Sequence, residues 1–332
     1  MIRIKRILCP IDLYTDVDQA LGYALALTRA YEARLVVCYC VKGAEVLGTR
    51  SLPARPPMRT AEVAYAMSRG RVKELFEGSL IKILGPLAFA NLDWEALVIE
   101  GQDVGDGITQ TASERGIDLI VMRSRRRPHR AAVLGSTAEW VCRNAPCPVL
   151  VTHTDEREWV DEQSGKMMLK RILVAYDFSD YSELALTYAL SLAQEHQAEL
   201  HLLHVLPQGS VTEPEIAWYP SGKVTAYHQA ARRLQRAIPQ ESHLWCQIKH
   251  AVAEGQPYRE ILNYAEKHAI DLISLGAHGA GFGMRTLFGS NVDRVLRQAP
   301  CPVLVARPLK PAVHENLASE LTGATVHAET SL

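Results

Sequence analysis

Short, almost unbroken runs of Val, Ile and Leu alternate along this chain with stretches in which apolar and small residues recur every three or four positions. The runs Lys5 to Pro10, Leu35 to Val41, Ala96 to Ile99, Leu119 to Met122 and Pro148 to Thr152 read as buried strands. The stretches between them read as helices, most plainly where Ala185, Leu186, Ala189, Leu190 and Ala193 fall on one face. Near-continuous apolar strands separated by helices predict a parallel sheet covered on both faces.

The pattern is written twice. Arg6 to Asp12 (R-I-L-C-P-I-D) matches Arg171 to Asp177 (R-I-L-V-A-Y-D), and Ala20, Leu21, Tyr23, Ala24, Leu25, Leu27, Ala33 and Leu35 recur 165 positions later. E-G-Q at Glu100 and Glu254, I-D-L-I at Ile117 and Ile270, and A-P-C-P-V-L-V at Ala145 and Ala299 extend the match. The expected organisation is an α/β domain with a five-stranded parallel sheet over 1–154, a charged linker over 155–168, a second copy over 169–309 and a polar tail over 310–332. A longer stretch in the first copy, Lys42 to Arg59, holds three prolines and reads as a loop.

One segment carries candidate chemistry. Gly276 and Gly279 stand three apart and are followed, nine residues on, by Gly289 and Ser290. A buried strand, I-D-L-I-S-L, enters this loop and a helical pattern leaves it, so glycines run into a helix N-terminus. Backbone N–H groups there lack intrahelical partners and the aligned dipoles favour negative charge. Glycine lets the backbone approach a phosphate or take positive φ. A mobile surface loop is the bland alternative. The P-loop pattern and the dinucleotide fingerprint both fail: no glycine is followed by Lys and then Ser or Thr in that frame, and the loop follows a late strand of its domain.

Composition narrows the picture further. The chain has 332 residues, 48% hydrophobic and 22% charged, with a formal net charge of −1. That is ordinary globular material for two cores, and nothing in the total favours nucleic acid or an anionic membrane surface. No apolar run approaches a membrane span, and the N-terminus lacks the pattern of a signal peptide, so a cytoplasmic protein is expected. The seven cysteines form no C-x-x-C pair and read as buried, reduced thiols. His201 and His204 fall within a strand pattern, where satisfied histidines are commoner than metal ligands.

With the repeat and the glycine spacing in hand, the sequence resembles the universal stress protein family, in its tandem-domain form, over nearly the whole chain apart from linker and tail. Gly276, Gly279, Gly289 and Ser290 fit that family's ATP-binding pattern without a gap. The resemblance implies two doubly wound domains and ATP, with or without Mg²⁺, as the cofactor. It implies a nucleotide site made of Asp177, Val205, Leu275, Gly276, Gly279, Gly289, Ser290 and Asn291: Asp177 at the nucleoside, Val205 along the adenine, and the glycine loop with Ser290 at the phosphates. It also implies pairing of the two C-P-V-L-V strands as an internal pseudo-dimer, with a homodimer of whole chains compatible.

Read from the residues alone, Asp177 ends a parallel strand where open α/β sheets bind ligands, and its carboxylate can accept bonds from ribose hydroxyls or an adenine amino group. It can equally cap the helix beginning near Asp180. Two readings of His278, toward phosphate or toward water, stay open. The first copy departs from the pattern: Arg123 and Arg126 stand where the second has Gly276 and Gly279, Cys40 replaces Val205, and Asp12, Gly135 and Ser136 persist. Ordinary ATP binding is not expected there. Arg123, Arg125, Arg126, Arg127 and Arg130 form either a basic loop over a vestigial site or a bidentate site for another phosphorylated or acidic ligand. The leading functional expectation is a nucleotide-dependent stress-response module; the alternatives are a slow ATPase or phosphotransferase, and a first domain that holds a different, lipid-like or phosphorylated metabolite.

Overall fold

The computed structural model describes residues 2–11, 19–42, 73–74, 76–78, 80–81, 89–101, 103–124, 134–153, 156–160, 166–208, 221–279 and 289–309. Asp12, most of the proline-bearing stretch before Arg59, Arg125 to Arg130 and the tail lie outside these residues.

Each copy of the repeat supplies five strands, as the apolar runs predict. They are β1 (Arg6–Ile11), β2 (Arg34–Lys42), β3 (Trp94–Gly101), β4 (Leu119–Arg123) and β5 (Val149–Thr152), then β6 (Arg171–Ala175), β7 (Glu199–Pro207), β8 (Ile248–Gly255), β9 (Leu272–Gly276) and β10 (Val303–Ala306). The described helices are α1 (Gln19–Tyr31), α2 (Val104–Glu114), α3 (Ser136–Asn144), α4 (Asp180–His196), α5 (Ser221–Ala237), α6 (Pro257–Lys267) and α7 (Ser290–Gln298).

Two compact units emerge, one built on Ile4–Val121 with Asn144–Pro148 and the other on Val149–Arg307 with Met122–Arg143. In the first, β1 lies between β2 and β4, and β2 also pairs with β3, all parallel. In the second, β6 lies between β7 and β9, β8 flanks β7, and β10 flanks β9, again parallel. β5 pairs antiparallel with β10, Val303 opposite Val151 and Val305 opposite Val149. α4 packs on β6, β9 and β10; α5 and α6 pack on β7 and β8, and α6 also meets α7. Buried β-branched and leucyl side chains such as Ile7, Leu8, Leu35, Ile120, Ile172, Leu173 and Leu200 form the cores, each contributing about 1.5–3 kcal/mol by leaving water.

The repeated I-D-L-I has a structural cause. In the first copy Asp118 Oδ2 accepts the N–H groups of Lys5 (2.7 Å) and Arg6 (2.9 Å). In the second, Asp271 Oδ2 accepts those of Lys170 (3.0 Å) and Arg171 (2.8 Å). The arginine that opens each R-I-L run then reaches the carbonyls at the preceding helix end, Arg6 to Arg115 O and Arg171 to His268 O and Ala269 O. One carboxylate and one guanidinium thus fix where the first strand of each domain begins and which strand it lies beside.

The linker is more than a charged tether. Trp159 is 1% exposed, Arg157 N–H donates to Pro300 O, and Val160 bridges Met167 antiparallel. The charges counted along the sequence therefore coexist with an anchored aromatic. All seven cysteines are free, and burial pushes the Cys142 thiol up to about 12. Among the described residues no helix is long and apolar enough to cross a membrane, and no cluster of three or more His, Cys, Asp and Glu could hold a metal ion.

Burial lowers the pKa of His196, His201, His204, His250 and His268. For Glu199, burial acts upward but is outweighed by Lys249 and His201, and the carboxyl lies below its ordinary value. An imidazole whose folded pKa is depressed binds its proton more readily in the unfolded chain, so stability is full above about pH 6.5 and falls as pH drops through the histidine range. The depressed Glu199 acts with the same sign at lower pH. The expected outcome is a lower urea midpoint at pH 5.5 than at pH 7.5 with the denaturant slope unchanged; an equal or higher midpoint at pH 5.5 would contradict it.

Candidate functional site

β6 carries the chain to Tyr176 and Asp177 at its carboxyl end, the position from which open parallel sheets present groups to a ligand. Asp177 Oδ1 accepts bonds from the N–H and hydroxyl of Ser179, at 3.1 and 2.5 Å. Ser179, not Asp177, is the N-cap of α4, its hydroxyl accepting the N–H of Ser182 at 3.2 Å. The carboxylate therefore shapes the turn that leads into the helix, two positions ahead of the capping role considered for it.

The glycines do different work from one another. A Cβ on Gly276 would fall 2.6 Å from Tyr181 Cβ and 2.7 and 2.8 Å from Tyr181 carbonyl atoms, so this glycine lets the end of β9 pass under the first turn of α4. A Cβ on Gly279 would fall 2.9 Å from Asp177 Oδ2. Gly289 is the N-cap of α7 with φ −59°, and a Cβ there would press on Val292 at 3.3 Å. Positive φ among the described glycines occurs at Gly116 and Gly255 instead. The expectation that the loop glycines supply left-handed backbone is thus corrected for Gly276, Gly279 and Gly289: close approach is what they allow.

A cavity of about 430 Å³ opens where β6, β7 and β9 end, beside the start of α7. Asp177, Val205, Leu275, Gly276, Gly279, Gly289, Ser290 and Asn291, the whole set carried by the family resemblance, line it together. Leu203, Val205, Pro207, Pro257 and Ile261 give it an apolar lining, and the first turn of α7 also borders it, with N–H groups that precede the first intrahelical bond, Asp293 N–H to Gly289 O. The site falls where the strand order reverses, β6 having β7 on one side and β9 on the other.

The sequence did not single out Tyr176, Ser182 or Pro257 as lining residues, and it placed His204 as a strand histidine. Burial lowers His204's pKa, and its Nδ1 lies 2.8 Å from Tyr176 O, so that nitrogen carries the proton and donates to the carbonyl. Burial also pushes the Tyr176 phenol up to about 12. His278 is 8% exposed and meets Tyr181 edge-on at 4.9 Å, so of its two readings the one toward open water is removed. His201 is a core residue, its Nδ1 3.0 Å from the Tyr264 hydroxyl. The alternation of Leu203 and Val205 in β7 was the available signal for the apolar wall; the cross-strand partners of His204 left none.

In the first copy Arg123 ends β4 at the position of Gly276, where no side chain could share the close approach described above. Ser124 replaces Ala277, and its hydroxyl accepts the N–H of Gly135 at 3.3 Å, just ahead of α3. That N–H is thereby satisfied within the protein. Cys40 is half-buried, and a thiol–thiol hydrogen bond from Cys38 lowers its pKa against the opposing effect of burial.

A duplicated α/β domain with a cavity at a strand-order reversal, beside a helix N-terminus, defines the doubly wound class. The sequence profile of the universal stress protein family matches residues 3–153 and again 168–307, and the chain belongs to that family, with its domain in tandem. It is 32% identical over 148 residues to universal stress protein YxiE of Bacillus subtilis, taking in 42% of this chain and 100% of that protein. It is 32% identical over 185 residues to universal stress protein Rv2623 of Mycobacterium tuberculosis, 55% of this chain and 58% of the other. A solved universal stress protein from Archaeoglobus fulgidus superimposes with a TM-score of 0.62 at 21% identity, covering 91% of this chain and 98% of that one, a likeness that speaks for the fold alone.

The two loop glycines separate stability from ligand access. Gly276→Ala forces a methyl into the Tyr181 backbone and is expected to lower stability by about 1–3 kcal/mol, read as a shift of the urea midpoint. Gly279→Ala meets only a carboxylate oxygen and is expected to leave the midpoint nearly unchanged. Equal losses in both would refute the division of roles.

Proposed function

We propose that the second domain binds an adenine nucleotide, ATP by preference, and that the chain acts as a nucleotide-dependent regulatory module of the stress response. The observation that carries this reading is the convergence of all eight candidate residues on one cavity whose volume suits a nucleotide and whose lining joins apolar side chains to a helix N-terminus. The residues fit the group they would hold. Val205, Pro257 and Ile261 offer an apolar wall for a base, Asp177 an acceptor for nucleoside hydroxyl or amino groups, and the first turn of α7 with Ser290 a set of donors for phosphate oxygens. Gly279 keeps the space beside the Asp177 carboxylate clear. Bound Mg²⁺ would supply charge neutralisation at the phosphates.

The first domain is read as a non-equivalent copy. Arg123 at the Gly276 position and Ser124 on the Gly135 N–H remove two features of the cradle, which supports one nucleotide per chain. A slow ATPase remains the second reading, favoured by one observation: His278 lines the cavity within the loop and is a candidate proton acceptor.

Titration of the intact chain with ATP should give one site per chain, and Gly279→Arg should abolish binding while the far-ultraviolet spectrum stays that of the parent. Two equivalent sites, or a Gly279→Arg protein that binds ATP normally, would overturn the assignment. Asp177→Ala should weaken ATP and adenosine by similar factors, about ten- to hundredfold for loss of a bond to a charged acceptor. A loss confined to ATP and dependent on magnesium would move Asp177 to the metal. Phosphate release under saturating ATP and magnesium should run far below the ~10 s⁻¹ typical of enzymes; turnover at that rate, absent in His278→Gln and Gly279→Arg, would establish the ATPase.

A further inference from the structure

We propose that Arg233 and Phe178 are positioning residues for Asp177, so that the nucleoside end of the cavity is set by α5, a helix that does not line it. The inference rests on the nucleotide reading above and extends it to a residue that neither the glycine loop nor the repeat marks.

Phe178 directly follows Asp177 and has φ 65°. A bulky residue in the left-handed region is an outlier, maintained only where its surroundings over-determine it. Its ring is held from three sides. Tyr176 meets it edge-on at 5.2 Å, His204 lies 4.6 Å away, and the Arg233 guanidinium carbon sits 3.7 Å above the ring centroid. His204 is itself tied to the Tyr176 carbonyl at 2.8 Å. The left-handed turn at Phe178 is what brings Ser179 back toward Asp177 Oδ1, which takes both its N–H and its hydroxyl. If Phe178 relaxes, those two donors leave the carboxylate, and the Oδ2 beside Gly279 is no longer aimed by them.

Arg233 is the part of this arrangement that comes from distant sequence. Its cationic face on the ring is an attraction that a neutral side chain of similar length cannot reproduce, whereas lysine can in part. The chain of contact runs from α5 through a ring to a carboxylate on the cavity wall. Whatever shifts α5 therefore shifts the acceptor offered to the ligand.

The test measures AMP and ATP binding by the intact parent, Arg233→Gln, Arg233→Lys, Phe178→Leu and the Arg233→Gln/Phe178→Leu double variant, with thermal midpoints alongside. Arg233→Gln should weaken AMP and ATP by the same factor, about two- to fivefold for an exposed cation–π contact. Arg233→Lys should recover most of the loss, and the double variant should bind no more weakly than Phe178→Leu, because both changes act through one contact. Parent-like binding by Arg233→Gln overturns the proposal and leaves the nucleotide reading intact. So does a loss that lysine fails to rescue and that follows a lowered midpoint, or a loss larger for ATP than for AMP. A parent that binds neither nucleotide removes both.

Discussion

The last residue of β9 and the first turn of α4 share a space in which a single added methyl would overlap peptide atoms of Tyr181. Because Gly276 leaves that space open, the helix starts low against the sheet, and only Phe178 separates Asp177 from the N-cap Ser179. Asp177 then faces the loop that follows β9, and Gly279 in turn leaves room for its carboxylate. The geometry of the pocket descends from this close approach. Arg123 stands at the same place in the first copy, where the second has this glycine.

The polar chemistry of the second site depends more on backbone than on side chains. Among the described residues that line the cavity there is no lysine or arginine; the N–H groups at the start of α7 and the hydroxyl of Ser290 are among the donors present. Such donors are fixed by the helix, cost little entropy to order, and do not titrate. The groups that do titrate, Asp177, His204 and His278, sit around them, and burial has already biased His204 toward its neutral form.

The strands and their duplication were legible because a strand buried on both faces must be apolar at every position, and Ile172 to Val174 or Leu119 to Val121 satisfy that without exception. The cavity-lining set was legible for a different reason: Gly279, Gly289 and Ser290 stand at a set spacing that ends at the start of α7. Other features depend on contacts between distant residues. The role of Gly276 depends on Tyr181, nearly a hundred positions away, and nothing in G-A-H-G distinguishes a glycine that admits a helix from one that leaves room for a carboxylate. Trp159 sits in a run of charges that reads as solvated, yet its side chain is enclosed. The stack of Tyr176, Phe178, His204 and Arg233 draws on β6, β7 and α5 at once, and no local pattern announces it.

The antiparallel pair formed by β5 and β10 binds the history of the two copies together. In each copy the run C-P-V-L-V supplies the strand, and Val149, Leu150 and Val151 lie opposite Val305, Leu304 and Val303. Leu150 and Leu304, the same position in the two runs, face one another, whereas Val149 faces the counterpart of Val151 and Val151 faces that of Val149. The loops above have been free to part company, one keeping glycines and the other acquiring arginines, while this edge has kept its V-L-V in both. At Leu150 and Leu304 the seam between the strands is therefore built from one and the same position of both copies.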